Sequence, residues 1–236
     1  MPSTLLHILA ASTLAIACAR SDAASNDNAK KSATPTPATL TTDAAPAAKA
    51  QDSISARADS GRVLGNAKAP LWVIEASDFQ CPYCKQWHDA NFQKLVDTYV
   101  KTGKVRLAFL NMPLSMHQHA VPAAEAAMCA SVQGKFWPMH EALFASQKDW
   151  EVLPDPSATF ASLAGKTGVN MPAWQRCVKD HLTLPMIQAD HDRVVAAHVN
   201  STPTFFVGDK ILEGADVNLG AAIDSALAKS GKKPGN

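Results

Sequence analysis

The stretch Leu71-Trp72-Val73-Ile74-Glu75-Ala76-Ser77-Asp78-Phe79-Gln80-Cys81-Pro82-Tyr83-Cys84 decides how this chain folds. Leu71 to Ile74 is a short apolar run with β-branched and aromatic members, bounded by Pro70 and Asp78, and it reads as a buried strand. From Pro82 to about Lys101 the residues Trp87, Phe92, Leu95, Val96 and Tyr99 recur at helical steps, the mark of an amphipathic helix ended by Gly103. The two cysteines therefore fall at a strand-to-helix junction. Cys81 takes the N-cap and Pro82 the first helical position, where its missing N–H costs nothing. Free N–H groups and the positive end of the helix dipole then face the Cys81 sulfur.

Cys-x-x-Cys spacing serves zinc sites as well as redox sites. A structural zinc needs four ligands, and no second such pair or finger-spaced His pair follows here. A helix start favours thiolate over thiol, which makes Cys81 both a nucleophile and a good leaving group near neutral pH. Cys84 lies about one turn along the same face and should be more buried. The expected division of labour is attack at Cys81 and resolution of the mixed disulfide by Cys84.

Working outward, residues 105–110 read as the next strand, closed by Pro113. Residues 117–200 read as mainly helical, with segments near 120–132, 135–147, 157–166, 172–180 and 185–199, punctuated by Pro154, Pro156 and Gly168. A strand at 204–207, the turn Gly208-Asp209, a strand at 210–212 and a helix at 217–229 complete the pattern. Strand, helix, strand, helical block, hairpin and helix imply a small α/β sheet carrying an all-helical insertion.

The chain has 236 residues, 47% of them apolar, and a formal charge of +1, so no nucleic-acid partner is expected. Residues 1–17 read as an export signal, apolar from Leu5 to Ala17, although no Lys or Arg precedes Arg20. Ala15-Ile16-Ala17-Cys18 offers two readings. One is an ordinary Ala-x-Ala cleavage site. The other resembles the bacterial lipobox, with Ala15 where Leu is usual, and would put a lipid anchor on Cys18. Five cysteines, at 18, 81, 84, 129 and 177, favour the second, since lipidation of Cys18 leaves four to pair. Residues 18–60 read as a disordered tether, rich in Ala, Ser, Thr, Asp and Pro, spanning about 35 Å if flexible.

Val73 to Cys84 resembles the active-site segment of DsbA-like proteins of the thioredoxin superfamily. Thr202-Pro203-Thr204-Phe205-Phe206-Val207 resembles their second signature, and Gln133-Gly134-Lys135-Phe136-Trp137, with His140 and Leu143-Phe144, is also typical of the group. The resemblance runs over about residues 61–230 and implies a thioredoxin fold with a helical insertion of about 117–200, between the active-site helix and strand and the cis-proline strand. The domain boundary is placed at 61–236. The 119 positions from Cys84 to Pro203 favour this branch over a bare thioredoxin or glutaredoxin.

The resemblance also implies roles. Pro203 would be cis and turn the Thr202 backbone towards Cys81, to pair with an extended substrate segment. Pro82 and Tyr83 are expected to meet the substrate too. Glu75 would be buried, its pKa raised, and would relay a proton for Cys84; the other reading is a strand-edge carboxylate facing water. In an oxidising compartment Cys129 and Cys177, left over in one helical block, are expected to pair as several relatives' cysteines do; the alternative is two buried free thiols. Such a bridge closes a loop of about 49 residues, worth about 4 kcal/mol on the chain-entropy model.

Met112, Met116, His117 and His119 could in principle offer copper(I) soft ligands, but they read as core and helix start. No metal or cofactor is expected. The place of His88 is open, facing solvent or the motif. Trp137, Trp150 and Trp174 read as packing residues.

The function implied is disulfide exchange with exported, cysteine-bearing proteins, with a membrane or soluble redox partner resetting the site. An oxidant is favoured over an isomerase or reductase. Thr202 and Tyr83 also occur in isomerase-type relatives, but those usually carry a folded N-terminal dimerisation domain, and here a monomer is expected. The reading from another class is a tethered binding or chaperone module whose thiols are incidental.

Overall fold

The computed structural model describes residues 44–230. The expected export signal, Cys18 and the expected tether up to residue 43 lie outside the described residues.

Helix α1 (Ala44–Gly61) leads into the short strand β1 (Val63–Leu64), and β2 (Leu71–Ser77) follows. Helix α1 overlaps the tether expected over 18–60, and its later part is packed on the domain ahead of residue 61, with Gln51 Nε2 donating to the Leu182 carbonyl at 3.0 Å. That expectation required large apolar side chains. Here alanine, the strongest helix former, gives the helix, and small residues let it approach its neighbour closely. Ala58 is fully buried, its carbonyl accepts from Ser131 Oγ at 2.6 Å, and a Cβ on Gly61 would stand 2.4 Å from the Ser131 carbonyl oxygen.

Helix α2 (Pro82–Trp87) continues through a π-helical turn (His88–Phe92), α3 (Gln93–Leu95) and a second π-helical turn (Val96–Val100). Together these form the active-site helix expected from 82 to 101. Strand β3 (Val105–Asn111) follows, then the helical block α4 (Ala120–Ser131), α5 (Phe136–Ala145), α6 (Gln147–Trp150), α7 (Ser157–Lys166), α8 (Met171–Lys179) and α9 (Leu184–Ala196). The helix expected over 135–147 is α5, and the short α6 follows it after Ser146 without having been expected. The chain closes with β4 (Thr204–Val207), β5 (Lys210–Glu213) and α10 (Leu219–Ser230).

The five strands lie in the order β1-β3-β2-β4-β5, with β2 and β3 parallel and the other pairs antiparallel. The parallel pair needs the crossover that the active-site helix supplies. Strand period decides the faces. Val73, Val105, Leu107, Phe205 and Val207 pack with Trp87, Leu95 and Ile223, so one face of the sheet holds the active-site helix and α10. Ala76 packs with Met112, Val194 and Val199, beside Leu110 and Phe206, under α9 on the other face. The insertion has its own core of Ala-rich α4 with Phe136, Leu143, Phe144, Trp150 and Trp174, which reaches Phe79 and Phe109 at the active-site end of the sheet.

Candidate active site

Cys81 is the N-cap of α2, in extended backbone (φ −69°, ψ 124°), and Pro82 opens the helix. Its amide donates to the Asp78 carbonyl at 3.1 Å, and its carbonyl accepts the first helical bond from Lys85 N at 3.1 Å. Cys81 and Cys84 are free thiols, and both are buried. Cys81 Sγ lies 3.5 Å from the Thr202 carbonyl oxygen, and the Thr202–Pro203 peptide is cis. The end of β2 and the loop before β4 thus meet at one sulfur. Pro82 and Tyr83 are exposed on the rim, Tyr83 prominently, while Thr202 and Pro203 are buried behind Cys81.

The two sulfurs differ electrostatically. A hydrogen bond from Cys84, with help from Thr202 and from the Cys84 and Tyr83 amides at the helix start, holds Cys81 down at about 6 despite its burial. Burial pushes Cys84 well above an ordinary thiol, and bonding to the Cys81 thiolate adds to the rise. The Asp78 amide donates to Cys84 Sγ at 3.5 Å. At neutral pH the pair therefore holds one negative charge on Cys81 and one proton on Cys84.

Glu75 is buried, not at a wet strand edge. In the sheet register it sits between Phe109 of β3 and Phe205 of β4, and its carboxylate oxygens find no hydrogen-bond partner. Burial raises its pKa to about 7.

Sequence reading missed two supports of this junction. Asp78 Oδ1 accepts from Gln80 N at 2.7 Å, and Oδ2 accepts from Leu114 N at 2.9 Å and contacts His117 Nδ1 at 2.7 Å. Gln147, on α6, donates to the carbonyls of Phe79 at 2.7 Å and Cys81 at 3.0 Å. Asp78 stood in plain view as a strand terminator. Gln147 had no local signal, since its partners lie more than 60 residues away.

The remaining candidates separate. Cys129 of α4 and Cys177 of α8 form a disulfide far along the chain from the active pair. Met112 is core, Met116 is exposed, His117 binds Asp78, and His119 caps α4, so these four make no common site. His88 faces neither solvent nor the motif; its ring stacks on Phe92 and Phe144 at 5.2 and 4.8 Å. Trp150 and Trp174 are buried in the insertion, and Trp137 packs between both core regions. Among the described residues, no helix is long and apolar enough to cross a membrane.

A thioredoxin family model matches residues 57–225. The chain is 35% identical over 179 residues to Na(+)/H(+) antiporter NhaA 3 of Salinispora tropica, covering 75% of this chain but 26% of that protein, so it spans about a quarter of that relative's length. It is 29% identical over 157 residues to disulfide bond formation protein D of Bacillus subtilis, covering 64% of this chain and 69% of that protein. The crystal structure of oxidised BdbD from Bacillus subtilis superposes with a TM-score of 0.65 at 27% identity, covering 72% of this chain and 94% of the other. With the cysteine pair at the helix start and the cis-proline opposite it, these likenesses show that the chain belongs to the thioredoxin family, in its DsbA-like branch.

Proposed function

We propose that this chain is an exported thiol–disulfide oxidoreductase that oxidises cysteine pairs in exported proteins. The observation that carries the reading is the opposition of the two thiols, with Cys81 at the helix start against the Thr202 carbonyl and Cys84 buried behind it.

In the oxidised enzyme a substrate thiolate attacks Cys81 Sγ. The Cys81–Cys84 bond breaks, a substrate–Cys81 disulfide forms, and Cys84 leaves with the electron pair. A leaving sulfur with so high a pKa must take up a proton. Glu75 is the candidate relay, because a carboxyl near 7 can hold or release one at neutral pH. A second substrate thiolate then attacks the substrate sulfur of the mixed disulfide, and Cys81 departs as thiolate. Its low pKa makes it the better leaving group and favours this direction. A membrane or soluble redox partner removes the two electrons afterwards. The Thr202 backbone, with Pro82 and Tyr83 on the rim, would seat the substrate chain. A signal at 1–17 and lipid on Cys18 would hold the enzyme at the cell envelope as a monomer.

Equilibration of the Cys81–Cys84 pair with glutathione tests the direction. A potential near roughly −120 mV supports the oxidant, and one near roughly −270 mV assigns a reductase instead. Exchange that survives Cys81→Ser would leave only a binding module. Palmitate labelling of the full chain tests Cys18, and an unlabelled mature protein removes the anchor.

A further inference from the structure

Buried imidazoles normally find hydrogen-bond partners. His140 is 0% exposed, and neither ring nitrogen has one. Aromatic rings wall it in, with centroids from 4.9 Å (Phe92) to 5.9 Å (Phe136). Two polar side chains reach it. Glu141 Oε1 lies 3.8 Å from His140 Nδ1, and the His88 ring centroid lies 5.1 Å away. His88 Nε2 is likewise without a hydrogen bond, 3.3 Å from Glu141 Oε2.

We propose that His88, His140 and Glu141 form a binding site for a divalent transition-metal ion of the zinc type, with a fourth position open to solvent. One donor atom from each residue can be chosen so that all lie within 4.8 Å of one another. Tetrahedral ligands at roughly 2.0–2.1 Å from zinc stand about 3.4 Å apart. Glu141 approaches His88 through Oε2 at 3.3 Å and His140 through Oε1 at 3.8 Å, so a small rotation of the half-exposed carboxylate, with closure of edges no longer than 4.8 Å, brings one oxygen and the two ring nitrogens to that spacing. Two imidazoles and one carboxylate are a donor set that zinc takes when it keeps an open position. His88 also has an outer partner of the kind that orients metal-bound histidines, since its Nδ1 lies 3.3 Å from Asp89 Oδ1. Asp89 is in turn held by Lys85 at 2.9 Å. Glu141 is half-exposed and supplies the entry. The ion would tie the first π-helical turn of the active-site helix to α5 of the insertion.

The test uses untagged full-length protein carrying Cys81→Ser and Cys84→Ser, so that the thiol pair cannot take the ion. Equilibrium dialysis against zinc at neutral pH should give one ion per chain. Glu141→Gln and His88→Gln should each weaken binding at least about tenfold, and Asp89→Asn by about tenfold. Zinc should raise the thermal midpoint of the parent and not that of Glu141→Gln. His140→Gln sits at a fully buried position and risks misfolding, so the site stands or falls on the two variants nearer the surface. No stoichiometric zinc, or binding that either Glu141→Gln or His88→Gln leaves unchanged, overturns the site.

Discussion

Cys81 and Cys84 stand three residues apart at the head of one helix, and Cys129 and Cys177 stand 48 apart on two helices of the insertion. Both pairs are buried. What separates them is the surroundings. Around the first pair lie a helix start, whose amides act on the charge of Cys81, and the facing Thr202 carbonyl. Around the second lie Ala-rich packing and the Thr183 hydroxyl, 3.7 Å from Cys129 Sγ. A sulfur at a helix N-terminus becomes a thiolate and exchanges; a sulfur packed among alanines only restrains the chain. Sequence spacing alone tells little of this, because burial is common to both.

The contrast breaks most sharply by mutation. Cys81→Ser should reduce oxidation of a reduced protein substrate to the uncatalysed rate, while the thermal transition of the variant stays cooperative. The Cys129→Ala, Cys177→Ala double variant should do the reverse. It should lose about 2–5 kcal/mol in denaturant unfolding and keep its exchange rate per folded molecule. Exchange that falls with the second pair would mean the two regions are coupled.

A smaller effect is expected at Glu75. Glu75→Gln should slow exchange by about a hundredfold without abolishing it, the low end of proton-transfer contributions. Rates unchanged across pH would remove the relay. The same variant carries a stability signature of definite sign. Native Glu75 holds its proton up to about 7, whereas an unfolded glutamate releases it near 4.5. Between those values the native state binds more protons than the unfolded one, so stability falls as pH rises through that window. Glu75→Gln removes this loss and should be more stable than the parent above pH 7, on the order of 3 kcal/mol at most. Denaturant curves for both proteins at acid and neutral pH would show the difference widening with pH.

The finest test concerns titration. Alkylation of the reduced protein should show one cysteine whose reactivity rises with a midpoint near 6, and peptide mapping should place it at Cys81. Cys84 should stay silent until far more alkaline pH. Equal labelling of both would erase the asymmetry on which the proposed direction rests.

Much of the sheet was legible because its signals are local. The apolar run at Leu71, the turn at Gly208-Asp209 and the helical steps after Pro82 each speak for a few residues. The active-site cysteines were legible for the same reason, since helix capping is decided within one turn. Helix α1 was not. Its alanines bury little area one by one, and only the approach of Ala58 and Gly61 to Ser131 shows that they pack. Strand β1 escaped because two residues carry no period, and it exists only through its pairing with Leu107 and Ala108.

By itself the sequence determined the order of elements, the helix-start position of Cys81 and the residue types of the second signature, because capping, turns and periodicity depend on neighbours in the chain. Tertiary structure alone decided which groups meet. It set Thr202 against a sulfur 121 residues earlier, brought Gln147 under the Cys81 carbonyl, and placed Glu75 between two phenylalanines of adjacent strands. It also gathered His88, His140 and Glu141 on two helices with no shared motif. Charge states follow from such meetings, since burial and distant partners set a pKa more strongly than the residues beside it in the chain.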